Sequence, residues 1–283
     1  KSSNILWLSA FSSVFFILNF LSYIMEIATV LHIHNNELLV RDTLDSVLKY
    51  VGSNVLVIYD GAVSSWGANL DLPVHKCCGL YHNYNRNPYR NIALGFSKIL
   101  NLFPKSDWYC YCEYDVLFGN SNFKEELEKR AKQNYWCFGN DHRIHHDIKF
   151  PFLEKILGKE LDRSDYLLGC CVFYHNKFMK KLLELDFFNR LLSFSNGCSR
   201  GFFPGFTEYD LSEHIYPTMA HHLGGKIGSF AKYDTEWRGR YKQYPLRFQP
   251  DLDELFEEAS IMHPLKDYDS NIRNFFRKKR NDR

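Results

Sequence analysis

The sequence predicts an α/β fold, a single domain on a mostly parallel central sheet flanked by helices, and three observations predict it. The run 27–33 (IATVLHI) is short, β-branched and largely apolar, which is the pattern of a strand buried on both faces. In 37–50 (ELLVRDTLDSVLKY), Leu38, Leu39, Leu44, Val47 and Leu48 recur at helical spacing. Then 55–62 (VLVIYDGA) is a second apolar run closed by Asp-Gly, a strand running into a turn. Strand, helix and strand at this spacing make a βαβ unit, and such units build parallel sheets.

The rest of the chain continues the alternation. A third strand is expected near 75–80, and 89–102 has the apolar period of a helix. The run 108–118 (WYCYCEYDVLF) reads as a strand that carries two acids where a buried strand should be apolar. An amphipathic helix at 122–133 turns its Glu and Lys pairs to solvent. A short strand at 136–139 leads into 141–152, which is polar, rich in histidine and expected to loop over the surface. Next come a strand at 166–174 (YLLGCCVFY), a helix at 176–188, a helix at 208–223 interrupted by Pro217, and a strand at 226–230. The stretch 244–283 reads as irregular apart from a short acidic helix near 251–259.

Bulk composition narrows the function classes. A chain of 283 residues with 45% hydrophobic content can bury a large core. A net charge of +2 is too small to announce a nucleic-acid binder, which usually shows a dense basic face, so no nucleic-acid partner is expected. Cysteines at 77, 78, 110, 112, 137, 170, 171 and 198 form neither a secreted disulfide framework nor the repeated pairs of a zinc module. Reduced, buried thiols in a cytoplasmic protein are expected.

Residues 5–24 (ILWLSAFSSVFFILNFLSYI) approach the ~20 apolar residues of a membrane-spanning helix. They also contain Asn19 and several serines and run almost directly into the first strand. Segment 1–24 is therefore read as an apolar N-terminal extension or a membrane anchor, with Met25 as an alternative start of the folded pattern. The catalytic domain is placed at 25–270 and a basic tail at 271–283, in which 274–280 joins two phenylalanines to four cations and suits anionic lipid headgroups or a solvated tail. Peripheral membrane contact follows if the tail engages lipid.

The acids at 113 and 115 carry the chemistry. Burying an unpaired carboxylate costs several kcal/mol, so a buried strand gains from neither unless each has a partner. Two apart on a strand, Glu113 and Asp115 point to one face and can converge on a cation. Carboxylate oxygens suit a hard divalent ion, Mn or Mg, which can bridge to a diphosphate. The plain alternative is a strand that ends before Glu113, leaving two solvated carboxylates.

With these motifs in order, the chain resembles the GT-A class of glycosyltransferases, nucleotide-sugar-dependent and family-2-like. The strand ATVLHIHNN, the strand VLVIYDGA, the helix RNIALGFSKIL and the acidic strand WYCYCEYDVLF follow the order of that class, with Glu113 in place of the first aspartate of its Asp-x-Asp motif. His32 and His34 also depart from the residues common there. The resemblance implies that His34 and Asn35 flank the nucleotide base and that Asp60 accepts a hydrogen bond from it. It makes Asp115 the direct metal ligand, with Glu113 on the metal through water or on the ribose.

Two further constellations extend that expectation. Thr207 and Asp210 fit an ordinary capping box, yet an inverting transfer needs a carboxylate to take the acceptor proton, and the class often supplies it at a helix start. Asp210 is the first choice for that base and Glu208 the second. In 261–266 (IMHPLK), His263 is expected to complete the metal shell and Lys266 to neutralise the departing diphosphate. The expected activity is metal-assisted transfer of a sugar from a UDP- or GDP-linked donor to a hydroxyl of a glycan, lipid-linked or protein acceptor. A metal-dependent nucleotidyltransferase or phosphohydrolase, or a non-catalytic binding module, is the alternative.

Overall fold

The computed structural model describes residues 25–59, 66–80, 88–148, 150–194, 208–230, 241–243 and 259–282. Strand β1 (Ile27–Ile33) is buried at every residue, as its largely apolar run predicts, and it buries Thr29 and His32 as well. Helix α1 (Glu37–Tyr50) starts at Asn36, whose side chain accepts from the Leu39 amide at 3.2 Å and so satisfies one of the free donors of the first turn. Its inner face is unusual in burying Asp42, Thr43 and Ser46 beside Leu44 and Val47.

Strand β2 (Asn54–Tyr59) follows, then the short α2 (Trp66–Asn69), β3 (His75–Cys78) and α3 (Pro88–Leu102). Gly95 lets α3 lie close on the sheet, because a Cβ there would stand 2.7 Å from both Val30 Cγ1 and Ile58 Cδ1. The chain then forms β4 (Trp108–Glu113), β5 (Leu117–Phe118), α4 (Phe123–Lys132), β6 (Tyr135–His145), α5 (Pro151–Leu157) and β7 (Ser164–His175). It continues through α6 (Asn176–Glu184), α7 (Phe187–Phe194), α8 (Glu208–His222), β8 (Lys226–Ser229), β9 (Tyr241–Gln243), β10 (Ile261–His263) and α9 (Asn271–Asn281).

The fold class is as expected, mixed α/β with a mostly parallel central sheet between helices. Seven strands run in the order β3-β2-β1-β4-β7-β6-β8, and β7 alone runs antiparallel to its neighbours. One apolar layer joins the sheet to α3, α6, α7 and α8, and a second joins the opposite face to α1 and α4. A small sheet, β5-β10-β9, lies beyond the end of β4. Its antiparallel pairing of Ile261 with Phe118 and Met262 with Leu117 carries a distant part of the chain to the carboxyl end of β4.

Several elements differ from the sequence reading. β4 stops at Glu113, and Tyr114 and Asp115 form a turn, so the two acids are not neighbours on one face of a strand. The polar stretch after 139 extends β6 to His145, since pairing with β7 satisfies its backbone whatever its side chains. The helix expected at 176–188 is two helices, broken at Asp186, where φ is 53°. α8 runs through Pro217. The basic segment after 270 is the helix α9, with Ile272, Arg273, Phe276 and Arg280 buried. The acidic helix expected near 251–259 lies almost wholly outside the described residues. Among the described residues no helix is long and apolar enough to cross a membrane, and 1–24 lie outside them.

Candidate metal and donor site

The site is assembled where β4 leaves the core. β4 is buried through Cys112, and Glu113 is its last residue. The Val116 amide donates to the Glu113 carbonyl at 3.1 Å, closing a turn that swings Asp115 back toward Glu113. From α1, the Thr43 hydroxyl lies 2.6 Å from the Tyr114 carbonyl and 2.8 Å from that of Val116, while Ser46 Oγ accepts from the Phe118 amide at 3.2 Å. From the other side, the Leu265 amide donates to the Asp115 carbonyl at 2.9 Å. The polar inner face of α1 thus exists to hold this turn.

β10 brings the third group. His263 Nε2 lies 3.3 Å from Asp115 Oδ1 and 3.8 Å from Glu113 Oε2. Lys266 Nζ stands 3.8 Å from Asp115 Oδ2 with its side chain 65% exposed, so the ammonium can turn toward a bound anion. One oxygen or nitrogen each from Glu113, Asp115 and His263 falls within a mutual 4.8 Å, a spacing that suits one cation. Asp115 Oδ1 is buried and has no hydrogen-bond partner among the described residues. A buried carboxylate oxygen left this way costs free energy unless a cation satisfies it, so two carboxylates and an imidazole fit a divalent ion.

The electrostatics have the same source. Burial and then the Asp115 charge raise the Glu113 carboxyl above the ordinary carboxylate range, against the pull of His263, His34 and Lys266. Burial works upward on Asp115 also, but the adjacent His263 imidazole and the Lys266 charge bring it below that range. Burial alone would lower the His263 imidazole; Cys170 and Asp115 override it and hold the group well above its usual value.

Each predicted residue can now be located. Glu113, Asp115, His263 and Lys266 come together, although Asp115 arrives by a turn and not by strand alternation. His34 joins them from the end of β1, its ring edge-on to Tyr114 with centroids 5.5 Å apart and to His32 at 4.4 Å. Asn35 is exposed in the turn before α1. Asp60 lies outside the described residues, as do the side chains of Glu208 and Asp210, whose backbone begins α8.

Sequence reasoning missed several supports. His32 is 1% exposed and its Nδ1 shares a 2.8 Å hydrogen bond with Tyr111 Oη beneath the site. Cys170, on β7, is among the groups that raise the His263 imidazole, an influence invisible until β7 and β10 are placed. Glu213, on α8, accepts from the Gly169 amide at 3.0 Å. A second trio, Asp162, His221 and His222, also has ligand spacing. There, however, Arg163 Nη2 lies 3.0 Å from His221 Nδ1, and His222 Nε2 is 2.9 Å from the Arg163 carbonyl, so those nitrogens are already engaged.

No family model matches the chain, and no curated protein does. Among solved structures, it is similar to the crystal structure of a glycosyltransferase involved in the glycosylation of the major capsid of PBCV-1. That likeness has a TM-score of 0.45 at 11% identity, over 89% of this chain and 99% of that one.

Proposed function

We propose that the chain is a glycosyltransferase that moves a sugar from a nucleotide-diphosphate donor to an acceptor hydroxyl, assisted by Mn or Mg. The observation that carries this reading is the convergence of Glu113, Asp115 and His263 beside the exposed Lys266 at the carboxyl end of a parallel strand. Ligands of open α/β sheets bind outside the carboxyl ends of their strands. The ion would offset charge on the leaving diphosphate.

The chain's own groups account for the other tasks. Asp115 and His263 hold the ion, Glu113 completes its shell or contacts the ribose, and Lys266 pairs with the leaving diphosphate. His34 and Asn35 flank the base, and Asp60 accepts a hydrogen bond from it. Asp210, or Glu208, takes the acceptor proton as the hydroxyl attacks the anomeric carbon, which gives inversion. The acceptor is a glycan, lipid-linked or protein hydroxyl, and the setting is cytoplasmic.

The test is thermal unfolding with a panel of UDP- and GDP-sugars, with and without Mn. A donor that binds the native state raises the melting temperature, by an amount that grows with the logarithm of its concentration relative to Kd. The expected result is stabilisation by one donor class only when metal is present, and its loss in Asp115→Asn. No shift from any donor under any metal overturns the reading.

A further inference from the structure

A cavity of about 420 Å³ opens between α1 and α9 and shares no residue with the metal site. Its charged lining comes from Arg41, Asp42, Asp45 and Lys49 of α1 and from Arg277 and Arg280 of α9. One carboxylate there serves three guanidiniums. Buried Asp42 receives Arg273, with Nη1 2.5 Å from Oδ2, then Arg277, with Nη1 3.6 Å from the same oxygen, and Arg280 on Oδ1. Arg41 is matched by Glu37, whose Oε1 lies 2.7 Å from its Nη2. That leaves Arg273, Arg277, Arg280 and Lys49 against Asp42 and Asp45, a surplus of two positive charges beside the cavity. A second observation shows donor capacity left over. The Arg280 side chain is only 6% exposed, and its buried Nη1 has no hydrogen-bond partner among the described residues. A buried donor left unpaired costs free energy, which an entering acceptor recovers.

We propose that this cavity binds a phosphate monoester, free or carried on a lipid headgroup. A phosphate monoester approaches two negative charges at neutral pH, which matches the surplus, and its three terminal oxygens accept the forked, charge-assisted bonds that guanidiniums donate. The volume leaves room for more than the phosphate, since sites for small organic molecules run to roughly 300–1,000 Å³. The exposed Leu38 side chain and the Tyr268 ring line the same space and suit the organic part. Tyr268 also carries the Arg277 guanidinium 3.9 Å from its ring centroid, which holds that cation in place. Arg273 does not line the cavity, so it keeps Asp42 paired while Arg277 and Arg280 serve the ligand. The site is independent of the donor and metal reading above.

The metal-free full chain is titrated by calorimetry with inorganic phosphate and with glycerol 3-phosphate, at fixed ionic strength in chloride. The wild type should show one saturable site for both, with the monoester bound more tightly. Affinity should fall roughly tenfold in Arg280→Gln, which removes a charge-assisted donor, and roughly threefold in Lys49→Gln. Lys266→Gln, at the metal site, should leave phosphate affinity unchanged. Lys49 is exposed, so Lys49→Gln decides the matter if Arg280→Gln does not fold. Vesicles of phosphatidylcholine with and without phosphatidic acid separate the two sources. Capture only with phosphatidic acid, weakened in Lys49→Gln, places the phosphate on a lipid, and glycerol 3-phosphate binding without capture places it on a soluble compound. A wild type that binds neither compound overturns the proposal, as does binding that every folded cavity variant leaves unchanged or that Lys266→Gln removes.

Discussion

Asp42 and Arg273 meet inside the protein with Oδ2 and Nη1 2.5 Å apart, and both side chains are excluded from solvent. The same guanidinium donates to the Leu265 carbonyl at 3.0 Å, two residues beyond His263. The pair therefore ties α1 and α9 to the segment that presents His263 and Lys266. Breaking a buried ion pair by removing one partner costs about 3–5 kcal/mol, because the remaining charge stays buried. Arg280 still pairs with Asp42, so Arg273→Met should lower stability by less than that, about 1–3 kcal/mol in urea unfolding, and weaken metal binding through the released Leu265 carbonyl. Lys132→Ala, which removes an exposed pair with Glu128, should change stability by no more than about 0.5 kcal/mol.

Glu113→Gln separates stability from binding. Burial and the neighbouring Asp115 raise the Glu113 carboxyl, so its ionised form is disfavoured in the fold without a cation. A neutral amide of the same shape removes that repulsion. The metal-free variant should melt at or slightly above the wild-type temperature, whereas its gain on adding Mn should be smaller. A metal-free variant that melts clearly lower, with an unchanged gain from Mn, would show Glu113 to be structural.

Much of the scaffold was legible because local pattern and final environment agree. β1 and the centre of β2 are buried on both faces and read as largely apolar runs, and α1 shows its period despite its buried polar face. The acids at 113 and 115 were visible because they interrupt such a run. Their geometry was not, since strand alternation and a turn can each bring two carboxylates to one cation. The roles of Thr43 and Arg273 were hidden for another reason: each depends on a partner that only the topology supplies, the carbonyls of 114 and 116 for Thr43 and Asp42 for Arg273. α9 escaped notice because its basic composition masks the spacing of Ile272, Arg273, Phe276 and Arg280 along one buried side.

Gly95 tests how closely α3 approaches the sheet. A methyl group there would stand 2.7 Å from side-chain carbons of Val30 and Ile58, on two adjacent strands. Alanine is the better helix former, so propensity alone predicts that Gly95→Ala stabilises by about 1 kcal/mol. Overpacking a filled core costs about 1–3 kcal/mol and should win, giving net destabilisation on chemical denaturation. Gly158→Ala is the contrast: a methyl group there would meet nothing within 4 Å, but φ is 65°, so any loss comes from backbone strain alone.

His175 gives the fold an acid-side weakness remote from the metal ligands. Its Nδ1 accepts from the Lys177 amide at 3.1 Å to cap α6, and its ring stands edge-on to Trp108 with centroids 4.9 Å apart. Burial, reinforced by the Lys177 charge, lowers the imidazole from 6.5 to about 4. The native state thus binds a proton less readily than the unfolded chain. The stability held by neutral His175 is complete above pH 6.5 and is lost as pH falls through 4. After allowance for solvent screening this is about 2 kcal/mol. Asparagine can accept the same capping hydrogen bond without titrating. The difference in urea midpoint between wild type and His175→Asn, followed from pH 7 to pH 4, should therefore shift progressively in favour of the variant, and a difference that stays constant across that range would show that His175 does not set the acid limit.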